Sequence, residues 1–218
     1  MTFHRTTHRH QAGRSPGLAA VRRRVPSFAL ALAACGGVLV AHGQPAATEE
    51  ATVFAIASGA VLLEAPAGWR RVQPKSGIIE TEFAIPSEGD GPDGRPLAPG
   101  RMTVMGAGGS VEANIERWYG QFAQPDGSST KDKAATKTFQ VAGRNVTLVD
   151  VAGTYKDSPG GPFAGGQTVD RPGYRMLAAI VEGADGNYFL KFYGPAATVE
   201  KHAAGFRKMV EGMVPASN

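Results

Sequence analysis

Apolar and polar residues alternate most regularly between Ile78 and Ile85, where Ile79, Thr81, Phe83 and Ile85 are interleaved with Glu80, Glu82 and Ala84. A period of two predicts a strand with one buried and one solvated face. Ahead of it, Val61-Leu62-Leu63 predicts the start of order, and Pro66-Ala67-Gly68-Trp69 predicts a turn that presents a large aromatic to the core. Met102 to Met105 predicts a further strand. Thr138 to Val141 and Asn145 to Val151 predict a hairpin through Ala142-Gly143-Arg144. Tyr174 to Val181 is apolar at odd and even positions alike, which predicts a central strand covered on both sides. Ala184-Asp185-Gly186-Asn187 then predicts a turn, and Tyr188 to Tyr193 the returning strand.

Two segments change period. Val111, Ile115, Trp118 and Phe122 fall within about 60° of arc at helical spacing, behind Ser110 as N-cap and with Glu112 and Glu116 placed against the helix dipole. Val199, Ala203, Phe206, Val210 and Met213 fall within about 80°, behind Thr198 as cap. Residues 86–100, 124–136 and 156–173 are rich in turn formers and predict loops. The order is strands, helix, four strands, helix. No strand–helix–strand unit recurs, so the chain is expected to form a single α+β domain at residues 60–214, with a central, largely antiparallel sheet and amphipathic helices packed on it. Residues 44–59 read as a linker and 215–218 as a tail.

The Pro66-Ala67-Gly68-Trp69 turn, the mid-chain amphipathic helix, a hairpin ending in Gly153-Thr154-Tyr155, and Phe189-Leu190-Lys191-Phe192-Tyr193-Gly194-Pro195 leading into the last helix together resemble the PsbP-like fold group. The resemblance covers about residues 60–214. It implies an α-β-α sandwich around an antiparallel sheet. The group includes an extrinsic protein of photosystem II, a eukaryotic nuclear-transport factor and many bacterial envelope proteins. No binding motif of the group matches position by position, so no functional residue is carried over.

Charge alters the picture at the N-terminus. Residues 1–43 contain Arg5, Arg9, Arg14, Arg22, Arg23 and Arg24 and no acid, then the apolar run Ser27 to Ala41 and small residues in Ala41-His42-Gly43. This reads as a cleavable signal peptide ending at Gly43 and predicts an exported protein, periplasmic or extracellular. Within the same run, Leu32-Ala33-Ala34-Cys35 followed by Gly36 resembles a lipoprotein lipobox, which implies lipidation of Cys35 and a membrane-anchored lipoprotein; the apolar stretch continuing past Cys35 departs from that pattern. Both processing routes stay open. Without the six arginines, 17 basic residues face the same 19 acidic ones, so the +4 of the whole chain becomes about −2. Nothing basic is left to follow a phosphate backbone, and nucleic acid is not an expected partner. The segment also contains four of the five histidines and the only cysteine. With His202 alone remaining and no cysteine, no Ser-His-Asp or Cys-His pair is promised, thiolate metal sites and intrachain disulfides are excluded, and no metal or cofactor is expected.

Candidate site residues are few. Asp150, Arg175 and Lys191 interrupt three otherwise apolar strands expected to be neighbours, and could form a ligand site or a structural ion pair. Phe163 is the lone aromatic of a glycine-rich loop from Ser158 to Gln167, suited to anchor a partner or to plug a sheet edge. Gly106-Ala107-Gly108-Gly109-Ser110 lacks the spacing of a nucleotide loop and reads as a tight turn; His202 reads as a surface residue. These features favour a non-enzymatic accessory or binding protein of the cell envelope, its partner a protein or small ligand, touching the membrane only through the leader or a lipid on Cys35. The alternative is an extracytoplasmic enzyme using Asp150, Tyr155 and Lys191.

Overall fold

A computed structural model describes residues 51–91, 93–158 and 167–217. The leader, the two cleavage sites, Cys35 and Phe163 lie outside the described residues. Order begins earlier than the hydropathy pattern predicts. Strand β1 spans Thr52–Ile56 and pairs antiparallel with β2, Val61–Ala65, across a 3-10 turn at Ala57–Gly59. Phe54 and Ile56 are buried, so residues 52–59 are not linker; the exposed positions between and before them are Ala55 and Val53, apolar as well, which hides the short alternation. The expected tail is corrected as well: β11, Val214–Pro215, pairs with the other edge of β2, and Ala216 N–H donates to the Ala60 carbonyl at 3.0 Å. The two flanks of the domain thus form one three-stranded sheet, β1-β2-β11.

The large sheet has eight strands. β3 (Arg70–Val72), β4 (Thr81–Ile85), β5 (Gly100–Ala107), β10 (Gly186–Pro195), β9 (Val169–Gly183) and β8 (Arg144–Asp157) lie side by side in that order, with β7 (Ala135–Val141) and β6 (Phe122–Ala123) sharing the outer edge of β8. Every pairing is antiparallel. The α+β class and antiparallel sheet expected from the element order are what the chain adopts. Strands β8 and β9 run further than expected into the 156–173 segment, because one irregularity lets them: between the Gly153–Tyr174 and Tyr155–Arg171 pairs the register shifts, leaving Pro172 and Gly173 in the bulge. Proline there loses no ladder bond, and Gly173 supplies a φ of +70°. Gly153, at φ +150°, allows the backbone of β6 to cross closely; a Cβ would sit 2.7 Å from the Ala123 carbonyl oxygen.

Each face of this sheet is covered differently. On one, α3 (Ala196–Glu211) and the small sheet bury Val199, Phe206 and Val210, with Phe54, Ile56 and Leu63, against Phe83, Ile85, Met102, Leu177 and Phe192. On the other, α1 (Val111–Tyr119) brings Trp118 onto Phe189, Met176 and Ile180. The predicted N-cap holds: Ser110 Oγ accepts from Ala113 N–H at 3.1 Å. Phe122, assigned to the same helical stripe, belongs to β6, since α1 ends at Gly120. A four-residue helix α2, Thr130–Lys133, interrupts the loop expected at 124–136. Thr198 does not cap α3. Pro195 occupies the cap position with its φ already set, and Thr198 is buried in the first turn with its hydroxyl donating to the Ala98 carbonyl at 3.4 Å.

His202 is not a plain surface residue. Trp69 Nε1 donates to its Nδ1 at 3.2 Å, which leaves Nε2 carrying the proton donated to the Pro86 carbonyl at 2.9 Å. The ring joins α3 to the Pro66–Trp69 turn and to the loop after β4. His202→Ala strands the indole N–H of the buried Trp69, and unfolding measurements should show a loss of about 1–3 kcal/mol. A chain shortened to begin at Ala60 loses Phe54 and Ile56 from the core; it should melt well below the chain beginning at Gln44, by the equivalent of about 2–5 kcal/mol for each side chain removed.

Candidate functional site

Asp150, Arg175 and Lys191 do lie on three adjacent strands, β8, β9 and β10. They do not form one site. Directly paired residues share a face, and Asp150 is opposite Leu177 on the α3 side, while Lys191 is opposite Ala178 and Thr103 on the α1 side. The grouping of Asp150 with Tyr155 and Lys191 is thereby overturned: the sheet itself stands between the carboxylate and the other two.

On the α3 side, Arg175 donates from Nε and Nη2 to the two oxygens of Asp150 at 2.8 and 2.7 Å, and Arg207 donates to Asp150 Oδ2 at 3.2 Å. Arg175 Nη1 also reaches Glu200. A bidentate pair only 18 % and 26 % exposed, extended to two residues of α3, ties the helix to strands β8 and β9. The hydrogen bonds that Arg175 donates to Asp150 hold it above its ordinary pKa. An open depression of about 620 Å³ lies beside this network, lined by Lys133, Ala152, Ala197 and Glu200 among others. Asp150 and Arg175 accordingly act as an ion pair of the fold.

The α1 side gathers residues of different chemistry. Tyr193, Tyr174 and Tyr155 come from β10, β9 and β8; Tyr155 lies parallel to Tyr174 with centroids 6.2 Å apart and tilted against Tyr193 at 5.1 Å. Lys191 Nζ sits 4.8 and 4.9 Å from the Tyr155 and Tyr193 ring centroids, inside cation–π range, and donates to Gln121 Oε1 at 2.6 Å and to Tyr155 Oη at 3.2 Å. Beside them Arg101 makes a bidentate pair with Glu82 at 2.8 and 2.9 Å and donates to Tyr193 Oη at 2.7 Å. Lys191, Tyr174, Tyr193 and Arg101 are half-buried; Tyr155 is 7 % exposed.

The electrostatics distinguish the cations. Hydrogen bonding to Glu82 raises Arg101 above its usual range, whereas burial, with the Arg101 charge adding to it, pushes Lys191 down from 10.5 to about 7. Burial likewise raises the phenols of Tyr155 and Tyr193. Lys191 therefore exchanges its proton near neutrality, among phenols that keep theirs.

The helix above this cluster is too short to cover it. Nine residues of α1 span about 14 Å, while the ten of β10 span about 33 Å. Trp118 covers the Phe189 end, and the Lys191–Tyr193 end stays partly open. Lys191 and Tyr155 were legible as candidates in the sequence; Arg101, Glu82, Tyr174, Tyr193 and Gln121 were not. The available signal was a shared alternation, Arg101 and Thr103 between Met102 and Val104, Lys191 and Tyr193 between Leu190 and Phe192, but only the β5–β10 pairing sets the two polar rows side by side.

No family model and no curated protein matches the chain. Solved structures do. The chain is similar to cyanobacterial PsbP from Synechocystis sp. PCC 6803 at 10 % identity, over 81 % of this chain and 99 % of that one, with a TM-score of 0.47. It is similar to a Pseudomonas aeruginosa protein of unknown function at 14 %, over 78 % and 99 %, with a TM-score of 0.41. The Saccharomyces cerevisiae Ran-binding protein Mog1p matches at 12 %, over 76 % and 95 %, with a TM-score of 0.43. Among the described residues no group of His, Cys, Asp or Glu is placed to hold a metal ion, and no helix is long and apolar enough to cross a membrane.

Because the folded-state pKa of Lys191 is depressed, the unfolded chain binds more protons between about 7 and 10.5, and stability due to this residue rises with pH across that window. Below about 7 the full cost of burying the charge is present; above 10.5 it is gone. Lys191→Met should therefore raise the melting temperature near pH 6 and lose that advantage by about pH 11, which thermal melts of both proteins across the range will show.

Proposed function

We propose that this is an exported, non-enzymatic accessory protein of the cell envelope that binds its partner or ligand through the α1-side face around Tyr174, Tyr193, Arg101 and Lys191. The observation that carries this reading is the contrast between the two charged clusters. Asp150, Arg175, Arg207 and Glu200 are engaged in fastening α3 to the sheet. The other cluster lies on a sheet face that its helix only half covers, and it presents tyrosine and arginine, residue types that dominate binding hot spots because they combine large rigid area with hydrogen-bonding tips.

Export rests on the arginine-rich N-terminus and the apolar run after it. A soluble periplasmic or extracellular form begins at Gln44; a form tethered to the membrane carries its lipid on Cys35. Phe163, in the glycine-rich segment from Ser158 to Gln167, is a second candidate contact.

Expressed in its own host, the protein should be recovered from the envelope fraction with an intact mass that starts at Gln44 or at a lipid-modified Cys35; an uncleaved cytoplasmic chain overturns export. The double variant Glu82→Gln, Arg101→Met removes both charges together and strands neither. A partner retained by the wild type and lost by this folded variant is the expected result. Equal recovery by both, or no partner at all, refutes the binding face.

A further inference from the structure

We propose that the Lys191 ammonium, framed by Tyr155, Tyr193 and Gln121, is the receptor for a single carboxylate group of the ligand. The proposal rests on the α1-side binding face and assigns it a chemistry.

Lys191 differs from four nearby arginines in what it touches. Arg101 meets Glu82, Arg175 meets Asp150 and Glu200, Arg207 meets Asp150, and Arg171 meets Asp157. The two oxygens that Lys191 contacts belong to an amide and a phenol. An ammonium has three hydrogens to donate. Two are directed to Gln121 Oε1 and Tyr155 Oη, both neutral, and the residue is half-buried. A cation held against an apolar sheet face without an anion is costly, and an incoming carboxylate would remove that cost.

The surroundings select the anion. Facing Lys191 are Tyr155 and Asp157 from β8, Tyr174 from β9, Tyr193 from its own strand, Arg101 from β5, Glu82 from β4, and Arg117 from the last turn of α1. Glu82 and Asp157 already balance Arg101 and Arg171, and the exposed Arg117 donates to Asn114 on its own helix, so the one unpaired charge among the tyrosine rings is that of Lys191. A monoanion matches it. A phosphate dianion would bring a second charge toward Glu82 and Asp157. The tyrosine rings beside the ammonium suit a carboxylate borne on a planar or apolar body.

Proton uptake follows from the same arrangement. Free Lys191 is depressed to about 7 by burial and by Arg101 and Arg117, against a smaller opposing effect of Asp157. A carboxylate within hydrogen-bond distance favours the charged amine and lifts its midpoint back toward the ordinary lysine value. At a pH about one unit above the free midpoint most of the amine is neutral, and each binding event draws close to one proton from the buffer.

The test uses the mature full-length protein with two probes, benzoate and a short terminally blocked peptide containing one glutamate. Calorimetry in two buffers of different ionisation enthalpy reads affinity and proton uptake together. Binding of either probe with proton uptake is expected, and which probe binds tells a free carboxylate from one on a protein. Lys191→Met should weaken it at least about tenfold, the loss of one charge-assisted hydrogen bond, while melting no lower than the wild type. A residue serving only the fold would give the opposite pair of results. In the wild type, NMR titration of the lysine side chains should show the Lys191 midpoint rise when the probe is saturating. Failure of both probes to bind, binding without proton uptake, an unmoved midpoint, or undiminished binding by Lys191→Met overturns the proposal. A partner still captured by Lys191→Met but lost by Glu82→Gln, Arg101→Met overturns it too, while leaving the binding face intact.

Discussion

The structure depends on a strand buried on both sides. From Met176 to Val181 every residue of β9 is nearly inaccessible to solvent, and its neighbours β8 and β10 put Val149, Val151, Phe189 and Phe192 around it. Successive side chains of a strand point to opposite faces, so such a run requires an apolar layer above and another below. The α3 helix with the small sheet answers one requirement; α1 answers the other. The bidentate Asp150–Arg175 pair then fixes α3 at the end of this core where β8 and β9 turn polar.

That two-sided core also explains why the charged residues of the central strands behave so differently. A polar group set into an apolar sheet must be paired, hydrogen-bonded or neutral. Arg101 and Arg175 are paired, and their charge is reinforced. Lys191 sits between aromatic rings and gives up its proton three orders of magnitude more readily than a solvated lysine, by about the difference between 10.5 and 7. The free energy that holds it there comes from the packing of the surrounding tyrosines and from β10, which continues through it as Leu190 and Phe192 on the opposite face.

Coverage is unequal. α3, at sixteen residues, and three short strands close one face; α1, at nine, leaves the tyrosine end of the other accessible. The flanks of the domain matter to the closed face, because β1 and β11 become strands only by adding to the two edges of β2. Five residues of β1, with Val53 and Ala55 at the exposed places, carry too little pattern to be recognised alone, and a two-residue strand carries none.

What the sequence by itself determined was local: the alternation of β4, the two-sided hydrophobicity of β9, the Ser110 cap and the stripes of α1 and α3 each follow from spacing, and their order was enough for the α+β class with an antiparallel sheet. It also picked out Asp150, Arg175, Lys191 and Tyr155 as polar groups in apolar strands. Tertiary structure decided which of them meet. Register assigns each residue of a strand to one face, so a one-residue difference in phase set Asp150 and Arg175 beneath α3 and Lys191 beside Tyr155, and only the β5–β10 pairing brought Arg101 to Tyr193. Such pairings join residues more than eighty positions apart, and no spacing along the chain encodes them.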